Sequence, residues 1–382
     1  MIHVLYSTDY EVYLGGNRAP EREVLIDTTD RLVAACDELS VPLTLFCDVA
    51  CIWRYRETGL NEFPDQVEAQ LLRLVGAEHD VQAHLHPHWL VTRIEHDAAG
   101  HSHYRTSLDK YLLGNWTPPD GRTLHDFCRE LFCRARDYLH ALLRPARPGY
   151  NCIAFRAGGY GLQPHSDVIL SALRDAGYLI DSSVVPGMKL DSNVNRVDFT
   201  QVPRVGNYRL EAEGSTLKAS GTGLFEIPIP SSEGLVARRA LAGSLVNVVR
   251  GRVLRHLKRS APGASPLGYP IQSVSQARRA NRWELMLKKL RAIRRGWAML
   301  ELSNDAELML AITDEYIRRY ISESRDLYFS FSSHSKGVTN SNLVALRDYH
   351  RGMVRKYGSA IRAITFQQAA RQLDQGNSGQ EH

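Results

Sequence analysis

Short apolar runs alternate along this chain with longer stretches in which apolar residues recur at helical spacing. Ile2–Ser7 is such a run and ends in Thr8-Asp9, the pattern of a buried strand whose C-terminal end opens into a polar site. Leu43–Phe46, Asp80–Ala83, Cys152–Arg156, Leu179–Ser182, Phe225–Ile229, Leu327–Phe331 and Ala360–Thr365 read as further strands. Between them, Thr28–Leu39, Phe63–Gly76, Leu124–Leu143, Ser166–Ala176, Asp305–Tyr320 and Leu343–Tyr357 place apolar residues on one helical face. Residues 96–122, with Gly, Pro, Asn and Asp, read as a long loop. Strands alternating with helices predict βαβ units and a mostly parallel sheet, and about seven such units can close into a barrel. In such barrels the chemistry gathers at the C-terminal ends of the strands.

The polar residues with chemical potential sit just there. Asp9 and Glu11 follow the first strand, His84, His86 and His88 follow Asp80–Ala83, Arg156 closes Cys152–Arg156, and His334 follows Leu327–Phe331. Two histidines four residues apart face the same way on a helical turn and can share a metal ion. One carboxylate completes a His₂-carboxylate set that leaves a position open for water, the mark of a catalytic site, with zinc the default ion. The pair Asp9 and Glu11 can supply both a ligand and a base. Taken singly, each residue has a plainer reading: a turn cap for Asp9, a structural ion pair for Arg156, a loop position for His334. Their shared place at strand ends is the argument for a site.

The 382 residues include 47 Lys+Arg and 42 Asp+Glu, a net charge of +5. Charge is unevenly spread: residues 231–300 hold 15 basic residues against Glu233 and Glu284, so this block carries +13 on an otherwise acidic body. Its second half sets Trp283, Leu287, Leu290 and Trp297 among Arg282, Lys288, Lys289 and Arg294, a basic amphipathic pattern suited to an anionic membrane surface or to a solvated lid. No nucleic-acid module accompanies it, so nucleic acid is not an expected partner. Six cysteines without a C-x-x-C spacing are expected to be buried free thiols. With neither a ~20-residue apolar span nor a basic, cleavable leader, the expectation is a cytoplasmic protein, free or peripheral at the inner membrane face.

These motifs together resemble the polysaccharide deacetylase family, also called the NodB-homology or carbohydrate esterase four group. Ser7-Thr8-Asp9-Tyr10-Glu11 is similar to its first motif, with D-x-E for the double Asp. His79-Asp80-Val-Gln-Ala-His84-Leu-His-Pro-His88 is similar in spacing to its second, with Asp in place of Glu. Phe155-Arg156-Ala-Gly-Gly-Tyr160 resembles the arginine motif without its proline, Phe225-Glu226-Ile-Pro228 its E-I-P strand, and Phe331-Ser-Ser-His334 its last.

The resemblance implies a distorted (β/α)₇ barrel, formed by residues 1–230 and 301–370, with 231–300 a basic, mainly helical insert and 375–382 a polar tail. It implies a metal-dependent hydrolase of an N-acylated amino sugar in cell-surface glycan biosynthesis, the glycan being free, nucleotide-linked or lipid-linked; the basic pattern over 238–297, not the resemblance, is what suggests an anionic membrane contact, with a solvated lid as the alternative. Carried over residue by residue, Asp9 is the base, Glu11, His84 and His88 are the metal ligands, and Arg156 orients the base. The Tyr160 N–H becomes the oxyanion donor and His334 the general acid; His86 has no counterpart. Two alternatives stay open: a C–N hydrolase of a small non-sugar amide, and a silent carbohydrate-binding barrel. Oligomeric state is left open.

Overall fold

The computed structural model describes residues 1–378 apart from 18, 99, 235, 240, 244–293, 295 and 323–325. Seven parallel strands form its centre: β1 (Ile2–Tyr10), β2 (Leu43–Asp48), β3 (Asp80–Leu85), β4 (Ala154–Ala157), β5 (Ile180–Asp181), β6 (Leu224–Glu226) and β7 (Leu327–Phe331). They lie side by side in the order β6-β5-β4-β3-β2-β1-β7, with Ile2 opposite Leu327 and Tyr6 opposite Leu43. Every residue of β1, β2 and β3 is buried, as near-continuous apolar runs require when both faces of a parallel sheet are covered. The result is a distorted (β/α)₇ barrel.

The distortion has a sequence cause. Pro228 and Pro230 follow β6 and have no N–H to donate, so no regular ladder forms between β6 and β7. The seam is closed otherwise. Ser330 donates its N–H to the Pro228 carbonyl at 3.0 Å, and the Asn207 amide stands in for a strand, accepting from the Tyr328 N–H at 2.9 Å and donating to the Tyr328 carbonyl at 2.8 Å. Two antiparallel strands, Tyr208–Glu213 and Thr216–Ser220, extend the sheet beyond β6, and Ile361–Ala363 pairs with the start of β1.

The helices on the barrel are α1 (Asp27–Glu38), α2 (Val49–Glu57), α3 (Glu62–Gly76), α4 (Leu124–Leu143), α5 (Ser166–Asp175), α6 (Ala306–Tyr320), α7 (Asn340–Tyr357) and α8 (Phe366–Ser378). α4 starts where the Thr123 hydroxyl accepts the Asp126 N–H, and α7 where Thr339 and Asn342 cap each other's backbone donors. α5 buries Ile169, Leu170, Ala172 and Leu173, and each fully buried Leu or Ile is worth roughly 1.5–3 kcal/mol. Residues 93–105, largely within the expected loop, hold an antiparallel pair, Arg93–His96 with Ser102–Arg105. A second pair, Lys189–Asp191 with Arg196–Asp198, and helix α2 were not expected.

The two ends of residues 231–300, expected as an insert, pair with each other. Ser231–Glu233 pairs antiparallel with Trp297–Met299, and Gly234 donates to the Gly296 carbonyl at 2.8 Å. The amphipathic basic stretch expected beyond it, including most of 238–297, lies outside the described residues. So does the end of the polar tail. All six cysteines are free, five of them buried. Among the described residues no helix is long and apolar enough to cross a membrane.

Candidate metal and catalytic site

The C-terminal ends of the barrel strands converge on a cavity of about 690 Å³. Asp9 is the penultimate residue of β1. Its N–H donates to the Ser333 carbonyl at 2.8 Å, extending the β1–β7 pairing by one bridge that sets Asp9 beside His334. Glu11, two residues on, points the same way by the period-two rule of extended chain and lines the same cavity.

Arg156 is fully buried inside the barrel, its guanidinium over the Phe46 ring at 4.1 Å. Its donors are spoken for. Nη1 meets Asp9 Oδ1 at 2.7 Å, Nη2 meets Ser7, Ser182 and Ser330 hydroxyls at 2.8, 3.2 and 2.7 Å, and Nε meets the Ser182 carbonyl at 3.0 Å. A fork of fixed donors held by four strands is a rigid anchor for one carboxylate. Burial alone pushes the Asp9 carboxyl up. Arg156, His84 and His334 outweigh it and hold it below the usual carboxylate range.

Glu11 Oε2 lies 2.6 Å from His86 Nε2 and 3.7 Å from His84 Nε2. His84 Nδ1 donates to the Arg156 carbonyl at 2.8 Å, which fixes the tautomer and leaves Nε2 as a buried lone pair with no hydrogen-bond partner. Glu11, His84 and His86 bring one ligand atom each within an ion's reach of the others. The Glu11 carboxyl, raised by burial, is pulled well below its usual range by Lys336, His86 and His84.

His88, the expected ligand, stands apart from that group of three, with both ring nitrogens buried and without a hydrogen-bond partner. It sits on the short helical turn Pro87–Val91, stacked on Tyr111 at 5.4 Å and 15°, outside the group that includes His84. The reason is geometric. His84 is on a strand, so its same-side neighbour is two residues on, His86, whereas a four-residue step would need a helix. Burial, with His86 adding to it, holds the His88 imidazole well below its ordinary value.

His334 places Nε2 3.5 Å from Asp9 Oδ2 and 3.7 Å from Glu11 Oε1, while Nδ1 lies 3.1 Å from Glu301 Oε1. Burial disfavours its charge, but Glu301 and Asp9 more than compensate and raise it above the ordinary histidine value. Tyr160 lines the cavity on a turn in which Gly159 and Tyr160 both have φ of 61°. A Cβ on Gly158 would stand 2.6 Å from the His86 ring and from the Leu85 carbonyl, so only glycine lets this turn pass beneath His86.

Sequence reading missed Asp48, Lys336 and Glu301. Asp48 ends β2, accepts the His86 N–H at 3.2 Å and is raised by burial. Its position at a strand end was a usable signal. Lys336, at 2.7 Å from Glu11 Oε1, lies two residues past His334 and shared that signal. Glu301 had none, because its partner is set by the seam between β6 and β7.

No family model and no curated protein sequence matches this chain. Among solved structures it is similar to a protein assigned to the polysaccharide deacetylases from Mycobacterium smegmatis, at 12% identity and a TM-score of 0.45, with 98% of this chain and 91% of that one covered. It is also similar to Puue allantoinase, at 12% identity and 0.43, covering 97% and 89%. These likenesses are too loose to bear on activity, which rests on the site itself.

Proposed function

We propose that this protein is a metal-dependent N-deacylase that hydrolyses the amide of an N-acylated amino sugar on a glycan. The observation that carries the reading is the convergence, on one cavity, of Glu11, His84 and His86 with the buried pair Asp9–Arg156 and the partly exposed pair His334–Glu301. One carboxylate oxygen and two imidazole nitrogens, one of them a buried lone pair without a partner, fit a divalent ion, zinc by default. Such an ion would supply an acidified water and polarise the amide carbonyl.

The chain's own residues do the rest. Arg156 occupies Asp9 Oδ1 and keeps the carboxylate ionised, so Oδ2 is the atom that takes the proton from the attacking water. His334, held by Glu301 at Nδ1 and shifted toward the charged form, gives its Nε2 proton to the leaving amine, without which an amide does not part. The Tyr160 N–H, on its left-handed turn at the cavity wall, serves the developing oxyanion.

The lining supports this choice of substrate class. Asn193 lines the cavity and offers a donor and an acceptor to hydroxyls, while Asn195 Nδ2 is held by the Gly159 carbonyl and Asn342 Oδ1 by Thr339; the Tyr13, Tyr111 and Tyr160 rings add aromatic surface for a sugar. The volume is that of an ordinary small-ligand pocket. The test is release of acetate or formate from a panel of N-acylated amino-sugar conjugates and small non-sugar amides, with and without chelator. Release confined to sugars and abolished by chelator is expected; release from none, by a metal-loaded chain, would sink the reading.

A further inference from the structure

Glu11 has two faces, and they are differently filled. Oε2 looks toward His84 and His86. Oε1 looks toward Lys336 Nζ at 2.7 Å and His334 Nε2 at 3.7 Å, and Asp9 Oδ2 lies 3.5 Å from that same nitrogen. Asp9, Glu11 and His334 therefore form a second set of donors within an ion's reach of one another, sharing Glu11 with the first. Imidazoles on both sides of a shared carboxylate are the makings of a centre for two ions some ~3.5–4 Å apart.

Lys336 stands in the way. Its ammonium binds Glu11 Oε1 and the Val12 carbonyl, the latter at 3.2 Å, and lies 5.5 Å from the centre of the Tyr13 ring. The Tyr13 hydroxyl in turn donates to the Lys336 carbonyl at 2.7 Å and pins the loop that carries it. An ammonium is a compact point charge, the side chain best suited to stand in for an ion. A dication beside it would meet like charge at close range, and one oxygen of each carboxylate is already held by a fixed cation, Lys336 or Arg156.

We infer that Lys336 takes the place of a second metal ion, so that the centre binds one divalent ion and no more. The inference rests on the metal centre of the proposed function. It makes Lys336 a positioning residue: it turns Glu11 so that Oε2 is offered to His84 and His86, and it keeps Asp9 and His334 free for proton transfer.

The test is metal stoichiometry. The full chain, stripped with chelator, is titrated with zinc alone by equilibrium dialysis and the bound metal is counted by elemental analysis. Wild type is expected to take one zinc. Lys336→Gln is expected to take two, the second at least tenfold more tightly than any second ion on wild type. Lys336→Arg should stay at one, and His334→Ala added to Lys336→Gln should return it to one. In manganese-loaded samples, spin coupling between ions should appear in variants that lose the Lys336 charge and not in wild type. Lys336→Met, read alongside with thermal melts, guards against a folding defect peculiar to one side chain. Two tight zinc ions on wild type, or a single ion on well-folded Gln and Met variants, overturns the inference and leaves the deacylase reading standing. A wild type that takes none overturns that reading, and this one with it.

Discussion

Asp9 divides its two oxygens between Arg156 and His334, and the division makes a test. Asp9→Asn keeps the shape and the hydrogen bond to Arg156 but cannot take a proton. Turnover of the N-acyl substrate should fall by about 10²–10⁴-fold, the usual worth of a positioned base, while elemental analysis still finds one zinc per chain. The two histidines that follow make a second test. His86→Ala should lose the zinc; His88→Ala should keep it and show only a lowered melting midpoint, since it removes a buried ring that contacts Trp89 and Tyr111. A zinc-free His88→Ala beside a zinc-loaded His86→Ala would return the ligand role to His88. At this scale residue identities at strand ends were legible in the sequence: Asp9, Glu11, His84, Arg156, Tyr160 and His334 surround or floor one cavity. Which of three histidines joins them was not, because that choice depends on whether the chain is extended or coiled at His84.

Elements decide such choices. β3 runs to Leu85 and the helical turn begins only at Pro87, so the alternation of an extended chain governs His84 to His86. Proline at the start of that turn marks the change, and it was visible in H-L-H-P-H. Strand positions were legible because buried parallel strands read as short, mostly apolar runs; α2 was not, since only Asp48 separates its Val49–Tyr55 stretch from the apolar run of β2. The antiparallel pairs were missed because they lie in polar, turn-rich sequence on the surface. The turn Gly158–Tyr160 gives the prediction at this scale. Gly158→Ala pushes a methyl against the His86 ring and the Leu85 carbonyl, and the carbonyl belongs to a strand that cannot shift freely. A stability loss of ~1–3 kcal/mol by denaturant titration is expected, with weaker zinc binding in the same samples. Unchanged zinc affinity would show that the turn does not position His86.

For the whole molecule, acid should be more damaging than the site alone implies. His79 Nδ1 accepts the Leu43 N–H at 3.1 Å and His140 Nε2 accepts the Cys152 N–H at 3.0 Å, so both rings must stay neutral to do their work. Burial holds both below the ordinary histidine value of 6.5. The unfolded chain therefore binds the protons more readily: the stability these rings contribute is complete above about pH 6.5 and is lost as pH falls below it. His84 and His334 are shifted the other way, so the measurement is a difference. Melting midpoints between pH 5 and 8 should fall less steeply on acidification in His140→Gln than in wild type. Parallel slopes would remove His140 from the account. The barrel and its layered core were readable from periodicity; the seam at Asn207 was not, because a side chain there takes a strand's place.

The antiparallel pair of Ser231–Glu233 and Trp297–Met299 brings its two flanking chains together, and Arg238 Nη2 reaches the Arg294 carbonyl at 3.2 Å. Glu301 follows only two residues past this pair. Two flanks held this close can be spliced. Replacing residues 244–293 with a short Gly-Ser bridge should yield a monodisperse chain that melts within a few degrees of wild type and keeps its zinc. A truncated chain that instead aggregates would mean the excised stretch is part of the body and not an appendage to it.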